Sequence, residues 1–356
     1  MKRFWSMFYS VVLLVLLIAG EVAVVCLFAW RTGTAALVLS AVGFGVSVVL
    51  APTVHELGHI VFAKTQGMRL KTTKFSFFRF SEKEGKLRFS FASPFAEEET
   101  QTIPLYGGNM TKRALRYVAG GLIFGGGYWI VTLSGAVLFS ALSKNAAFFF
   151  WGGLPYAVYL FLLNLPPLTY ASGKTDGRVF YGIGKGLAAE TAMVNAMEIY
   201  GLLSEGKSFA EISEKRYSDF PQLAEDEPMY AMILDLRYRF YIESEEFEKA
   251  ADALNRLAAA AEYLPLGVFE AVAAELVYMH SLNGDKTRAE ESGKLCKEYL
   301  AQNVVSAKRI LAAYSAMCGK SEEAAILKSQ AEACLQTEKI AGVRKFEQIL
   351  LSRVAK

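Results

Sequence analysis

His55-Glu56-Leu57-Gly58-His59 sets two imidazoles and one carboxylate inside an apolar run. On a helix, residues four apart stand one above the other on a single face, so His55 and His59 can turn ring nitrogens toward one metal ion. Neutral imidazole is a good zinc ligand. A carboxylate beside the metal, here Glu56, can take the proton of a bound water whose pKa the metal lowers to about 7. The implied chemistry is hydrolysis, with Glu56 as general base. The plain alternative is a chance pentapeptide or a hydrogen-bonded pair of core histidines. Two features oppose it. Of the three histidines in the chain, His280 is the one outside the motif, on a polar helix far along the sequence. Each ionisable group at membrane depth costs about 2.5–3.5 kcal/mol, so three together call for a compensating partner such as a metal.

The elements that must position these groups follow from the composition. At 356 residues the chain is long enough for two domains, and its 53% hydrophobic content is concentrated in the first half. The second half is charged, Ala-rich and helical in period. A formal charge of only +3 argues against a nucleic-acid partner held by phosphate contacts. Cys26, Cys296, Cys318 and Cys334 lack metal-ligand or redox spacing and read as reduced packing residues.

The first apolar run, about Phe8 to Trp30, is too long for a signal peptide and continues past Glu21 to a second run, so it reads as an uncleaved helix. Glu21, ionisable at depth, is a functional candidate by default; the structural reading, which is favoured, pairs it with a polar group on a neighbouring helix or sets it near the outer interface. The second span, about Ala35 to Ala63, carries the histidine motif in its final third. Gly43 and Gly45 would permit close helix packing, and Pro52 could bend the helix and open room around the metal. Lys64, Arg69, Lys71 and Lys74 follow. With Lys2 and Arg3 they satisfy the positive-inside rule if the N-terminus and this loop are cytoplasmic. From Thr72 to Ser93 the pattern turns to β: Phe75, Phe77, Phe78 and Phe80, a turn at Glu82 to Gly85, then Leu87, Phe89 and Phe91, which predicts a hairpin. It either covers the cytoplasmic mouth or offers an edge that captures an extended substrate. Pro94 to Thr111 reads as a polar linker with a solvated run Glu97-Glu98-Glu99. A third span, about Leu115 to Leu142, has five glycines near one end, Gly120, Gly121, Gly125, Gly126 and Gly127, which suggest close packing of a helix or the substrate. The fourth, about Ala147 to Leu165, is stopped by Pro166-Pro167, and the chain goes on to Asp176-Gly177-Arg178.

His55-Glu56-Leu57-Gly58-His59, then two spans later Asn164-Leu165-Pro166-Pro167 and Asp176-Gly177, resemble the paired motifs of the site-2 protease family of intramembrane zinc metalloproteases over about Ala35 to Val179. The resemblance implies one Zn2+ per chain, with His55, His59 and Asp176 as its ligands, Glu56 as the base and Asn164 as a substrate-positioning residue. The twelve-residue step from Asn164 to Asp176 is longer than in many members, and no PDZ-like segment is evident. Apart from the resemblance, catalytic zinc usually has three protein ligands and one open position, so two histidines leave one ligand to find. Asp176, after a helix break that turns the chain back, outranks Glu21 and the acidic linker; its other role would be helix capping.

In the second half three helix pairs align: Tyr230 to Ser244 with Phe247 to Ala260, Phe269 to Asn283 with Thr287 to Leu300, and Ala307 to Gly319 with Glu322 to Leu335. Ala250, Ala289 and Ala324 are equivalent, spaced by 39 and 35 residues, and Gly284 and Gly319 fall at turns. The pattern resembles degenerate tetratricopeptide repeats, whose period is about 34 residues and whose concave side often binds peptides; the alternative role is a purely structural cap. The expected fold class is mainly α. A polytopic membrane helix bundle of about four spans, residues 1–186 with a small cytoplasmic β-hairpin at 72–93, precedes a soluble helical repeat domain, 187–356. The expected function is intramembrane zinc endopeptidase, cleaving a membrane-inserted or membrane-associated peptide near the cytoplasmic leaflet of the cell membrane. The lipid bilayer and a cytoplasmic protein or peptide on the repeats are the expected partners. The rival is a non-catalytic membrane adaptor with a structural metal site. An exporter or sensor is disfavoured by the lack of a nucleotide-binding loop.

Overall fold

The long runs of Leu, Val, Ile and Phe with few charges form helices, in which the backbone polar groups are satisfied within each segment. The computed structural model describes residues 2–83, 86–93, 99–170 and 173–354. Two compact units emerge: residues 1–103 with 111–187, and residues 104–110 with 188–356.

In the first unit, α1 (Lys2–Val22) continues through a π-helical segment, Ala23–Ala29, and a last turn, Trp30–Thr32, before Gly33 breaks the chain. After it come α2 (Thr34–Thr65), α3 (Met110–Leu142) and α4 (Lys144–Asn164). Among the described residues, four helices are long and apolar enough to cross a membrane: Phe4–Thr32, α2, α3 and α4. Their large apolar side chains are widely exposed, Val15 at 58%, Val131 at 66% and Leu142 at 70%, which the protein itself leaves uncovered. A short α5 (Asp176–Lys185) follows, with Thr175 as its N-cap.

Small residues set the crossings. A side chain at Gly43 would strike the Phe149 backbone, and one at Gly152 the Ser40 backbone, so α2 and α4 touch main chain to main chain. Gly45, expected to pack in the same way, faces nothing within 4 Å. Helices α2 and α3 meet where Gly58 and Gly120 face each other. Pro52 sits inside an unbroken α2.

The β region departs from expectation. It holds four strands, β1 (Met68–Phe75), β2 (Phe78–Lys83), β3 (Lys86–Phe91) and β4 (Glu99–Pro104), in the spatial order β3-β2-β1-β4. The β1–β2 and β2–β3 ladders are antiparallel, pairing Thr73 with Phe80 and Phe80 with Phe89. The adjacent Phe77-Phe78 breaks the two-residue alternation, and the chain turns there, with Ser76 at φ 51°, so Phe75 and Phe78 lie opposite each other on different strands. Part of the expected turn at Glu82 to Gly85, residues 84 and 85, lies outside the described residues, as do Glu97 and Glu98 of the acidic run. The expected linker contains a strand, β4, which continues the sheet beside β1.

In the second unit, α6 (Ala188–Ser204) is followed by α7 (Pro228–Glu243), α8 (Phe247–Ala259), α9 (Leu266–Leu282), α10 (Lys286–Lys294), α11 (Val305–Met317), α12 (Ser321–Leu335) and α13 (Ala341–Ser352). Packing pairs α7 with α8, α9 with α10 and α11 with α12. Each pair closes on the same turn. Glu245, Gly284 and Gly319 all have a left-handed φ, 63°, 72° and 75°. The next amide in each case donates back to the helix, Glu246 to Tyr241, Asp285 to His280 and Lys320 to Ser315, each at 2.9 Å. This is the Schellman closure. Ala250, Ala289 and Ala324 are buried to 2% exposure or less, which lets the second helix of each pair come close. Arg309, fully buried, joins three helices: it donates to Glu275 at 2.6 Å and Glu347 at 2.7 Å and lies over the Tyr278 ring at 4.2 Å.

Glu245 occupies a conformation that costs an L-residue about 1–2 kcal/mol. Its carboxylate lies 3.4 Å from Arg353 but is itself 70% exposed, so little is lost with it. Glu245→Gly is expected to raise the unfolding midpoint by about 2–4 °C; a lower midpoint in thermal unfolding would contradict the strain.

Candidate metal centre

The i, i+4 spacing does on α2 what helical geometry requires. His55 and His59 share a face, with their rings edge-to-face at 5.0 Å between centroids. His55, Glu56 and His59 are all buried, at 7%, 5% and 6% exposure, and each offers a ligand atom within 4.8 Å of the others. This group could hold a metal ion. The glycine stripe of α3 makes the room. A Cβ at Gly121 would meet His59 Cε1 at 2.7 Å and His55 Cε1 at 2.9 Å, and one at Gly125 would meet His55 Nδ1 at 3.2 Å.

Asp176, the first residue of α5, reaches the same point. Its Oδ2 lies 2.9 Å from His55 Nε2 and 3.1 Å from His59 Nε2. The loop that delivers it is tied down: Thr175 Oγ1 donates to the Pro166 carbonyl at 2.6 Å and accepts from the Arg178 amide at 3.1 Å. Gly177 packs on the Leu165 and Asn164 carbonyls, where no side chain would fit. Thr175 thus takes the capping role, and the Asp176 carboxylate is turned to the histidines.

The donor set can be tested for a cation by its own chemistry. His59 Nδ1 lies 3.1 Å from the Tyr117 carbonyl, which can only accept, so Nδ1 carries a proton. In the neutral ring the lone pair is then on Nε2, facing a carboxylate oxygen. Two lone-pair atoms so placed need a positive centre between them, a proton or a metal. The buried His55, Glu56 and His59 group could hold a metal ion, and the facing of His59 Nε2 and Asp176 Oδ2 is compatible with a cation bound beside it.

No family model, curated protein or solved structure matches this chain.

The Asn164 carbonyl lies against Gly177, next to Asp176 in the chain, and its side-chain Nδ2 donates to the Leu160 carbonyl at 3.4 Å. Glu21 lies on α1 with Oε1 buried and, among the described residues, without a hydrogen-bond partner, so the expected pairing with a polar group of a neighbouring helix is not formed by that atom. Two site neighbours escaped the sequence reading. Thr100 Oγ1 donates to Glu56 Oε2 at 2.5 Å, and Tyr117 OH donates to the Thr100 carbonyl at 2.5 Å. Thr100 lies in a polar stretch that reads as a linker and gave no signal. Tyr117 carried none, since an aromatic at the start of a span is unremarkable. Arg113, 6% exposed, donates to the Gln66 carbonyl at 2.8 Å and fixes the end of α2 to α3.

Proposed function

We propose that this chain is a polytopic membrane endopeptidase whose His55, His59 and Asp176 hold one zinc ion. It cleaves a membrane-inserted or membrane-associated peptide near the cytoplasmic leaflet. The observation that carries this reading is the convergence of two imidazoles from α2 with the Asp176 carboxylate, beside a buried Glu56, on helices apolar enough to span a bilayer. Zinc bound there supplies Lewis acidity, which polarises a carbonyl and makes water acidic near neutral pH. Glu56 takes the proton of the attacking water and passes it to the departing amide nitrogen, which returns the carboxylate to its starting state. The site's burial limits competing water.

A helical substrate hides its carbonyls in backbone hydrogen bonds and must be unwound first. Strand β4 is at the edge of the sheet and carries Thr100 against Glu56, so an extended substrate pairing along it would lie beside the base. The resemblance to site-2 proteases supports the same assignment. The basic residues flanking α1 and α2 favour cytoplasmic ends. The helical unit, with its repeated turns, is proposed to resemble a tetratricopeptide array and to dock the substrate or a cytoplasmic regulator.

The reading is tested with the purified full chain in bicelles and synthetic lysine-flanked, membrane-spanning peptides. Cleavage is expected to stop on chelation and to return with stoichiometric zinc. Metal binding without cleavage of any peptide would instead favour an adaptor.

A further inference from the structure

The Glu56 carboxylate is held from outside its own helix. Thr100 Oγ1, on β4, is 2.5 Å from Glu56 Oε2, and Thr73 Oγ1, on β1, is 2.7 Å from Thr100 Oγ1. Both threonines are buried, at 9% and 1% exposure. A hydroxyl has one proton to give. With that proton on Glu56, Thr100 accepts from Thr73, so the chain of hydrogen bonds runs in one direction, Thr73 to Thr100 to Glu56. It occupies Oε2 and leaves Oε1 for the proton of the attacking water. Tyr117 closes the arrangement from α3: its hydroxyl holds the Thr100 carbonyl, and its own carbonyl takes His59 Nδ1. The base and a metal-facing imidazole are thereby referred to one residue.

We propose that Thr100 is a positioning residue for Glu56, its hydroxyl fixing which carboxylate oxygen works as the base, with Thr73 fixing the hydroxyl. The catalytic consequence rests on the peptidase reading above; the hydrogen-bond chain itself does not. A sub-ångström drift of a base is enough to cost rate, and groups that orient a reacting residue are worth about 10–100-fold.

The test uses the full chain in detergent, with Thr100→Val removing the hydroxyl at constant shape and Thr100→Ser retaining it. Thr100→Val is expected to lower the unfolding midpoint by about 2–4 °C when Glu56 is present and by less than about 1 °C in a Glu56→Leu background. Zinc content should stay at the parent level. With fluorescein-labelled casein and the lysine-flanked peptides as probes, kcat should fall about 10–100-fold at unchanged KM, and Ser should restore it. Equal midpoint losses in the two backgrounds would overturn the contact. An unchanged kcat for Val, or no rescue by Ser, would overturn the positioning role. If the parent chain cleaves neither probe while the midpoints remain coupled, the peptidase reading falls and the catalytic role of Thr100 with it.

Discussion

Glu56→Gln is expected to retain one zinc per chain and to cleave about 10²–10⁴-fold more slowly than the parent, the usual contribution of a positioned base. The change is nearly isosteric. Glu56 is 5% exposed and packed, so a residue of the same volume keeps the site closed. The amide oxygen can still accept from Thr100, 2.5 Å away in the parent, so the side chain keeps its orientation. What it loses is the capacity to hold a proton at neutral pH. The ligand atoms assigned to zinc belong to His55, His59 and Asp176, none of which is altered, so metal analysis and cleavage should separate cleanly. Full cleavage by the variant would remove Glu56 from its role. Loss of the metal would instead mean that Glu56 is a ligand, which the 4.8 Å proximity of His55, Glu56 and His59 permits geometrically.

The parts of this site that were legible in the sequence are those fixed by short-range rules. An i, i+4 pair on an apolar helix places His55 beside His59 whatever surrounds them, and two prolines after Asn164 end α4 by removing donors. The turns at Gly284 and Gly319 were readable because only glycine takes a left-handed φ without penalty; the matching turn at Glu245 was hidden by a residue that tolerates the strain. The failures are long-range. Whether Gly43 or Gly45 meets α4 depends on a rotation of α2 that composition does not encode. The turn at Ser76 lies inside a run of phenylalanines whose high β-propensity masked it. Thr100 became a neighbour of Glu56 through the order of strands in the sheet, with β4 placed next to β1. Asp176 was reachable by counting ligands, whereas Tyr117 binds His59 through a main-chain carbonyl, for which side-chain identity gives no signal.

Gly121→Ala is expected to lower zinc affinity by at least about 100-fold and cleavage with it, while the same exchange at Gly127 leaves both unchanged. The added methyl at 121 would overlap the His59 ring, whose Cε1 would be 2.7 Å away, and approach His55 Cε1 at 2.9 Å; at Gly127 nothing lies within 4 Å. A ring under that pressure normally rotates away. His59 has little freedom to do so, because Nδ1 is engaged by the Tyr117 carbonyl at 3.1 Å and the ring packs against Tyr117 and His55. The backbone cannot easily retreat either, since one residue earlier Gly120 already touches Gly58 of α2. Relief therefore has to come from displacing Nε2, the atom that faces Asp176, and the ligand geometry goes with it. Isothermal titration with zinc would measure the loss directly, with thermal unfolding confirming that α2 and α3 remain assembled. Normal zinc affinity in Gly121→Ala would mean that the imidazoles can yield without leaving the metal, and would break the link drawn between the glycine stripe of α3 and the metal centre.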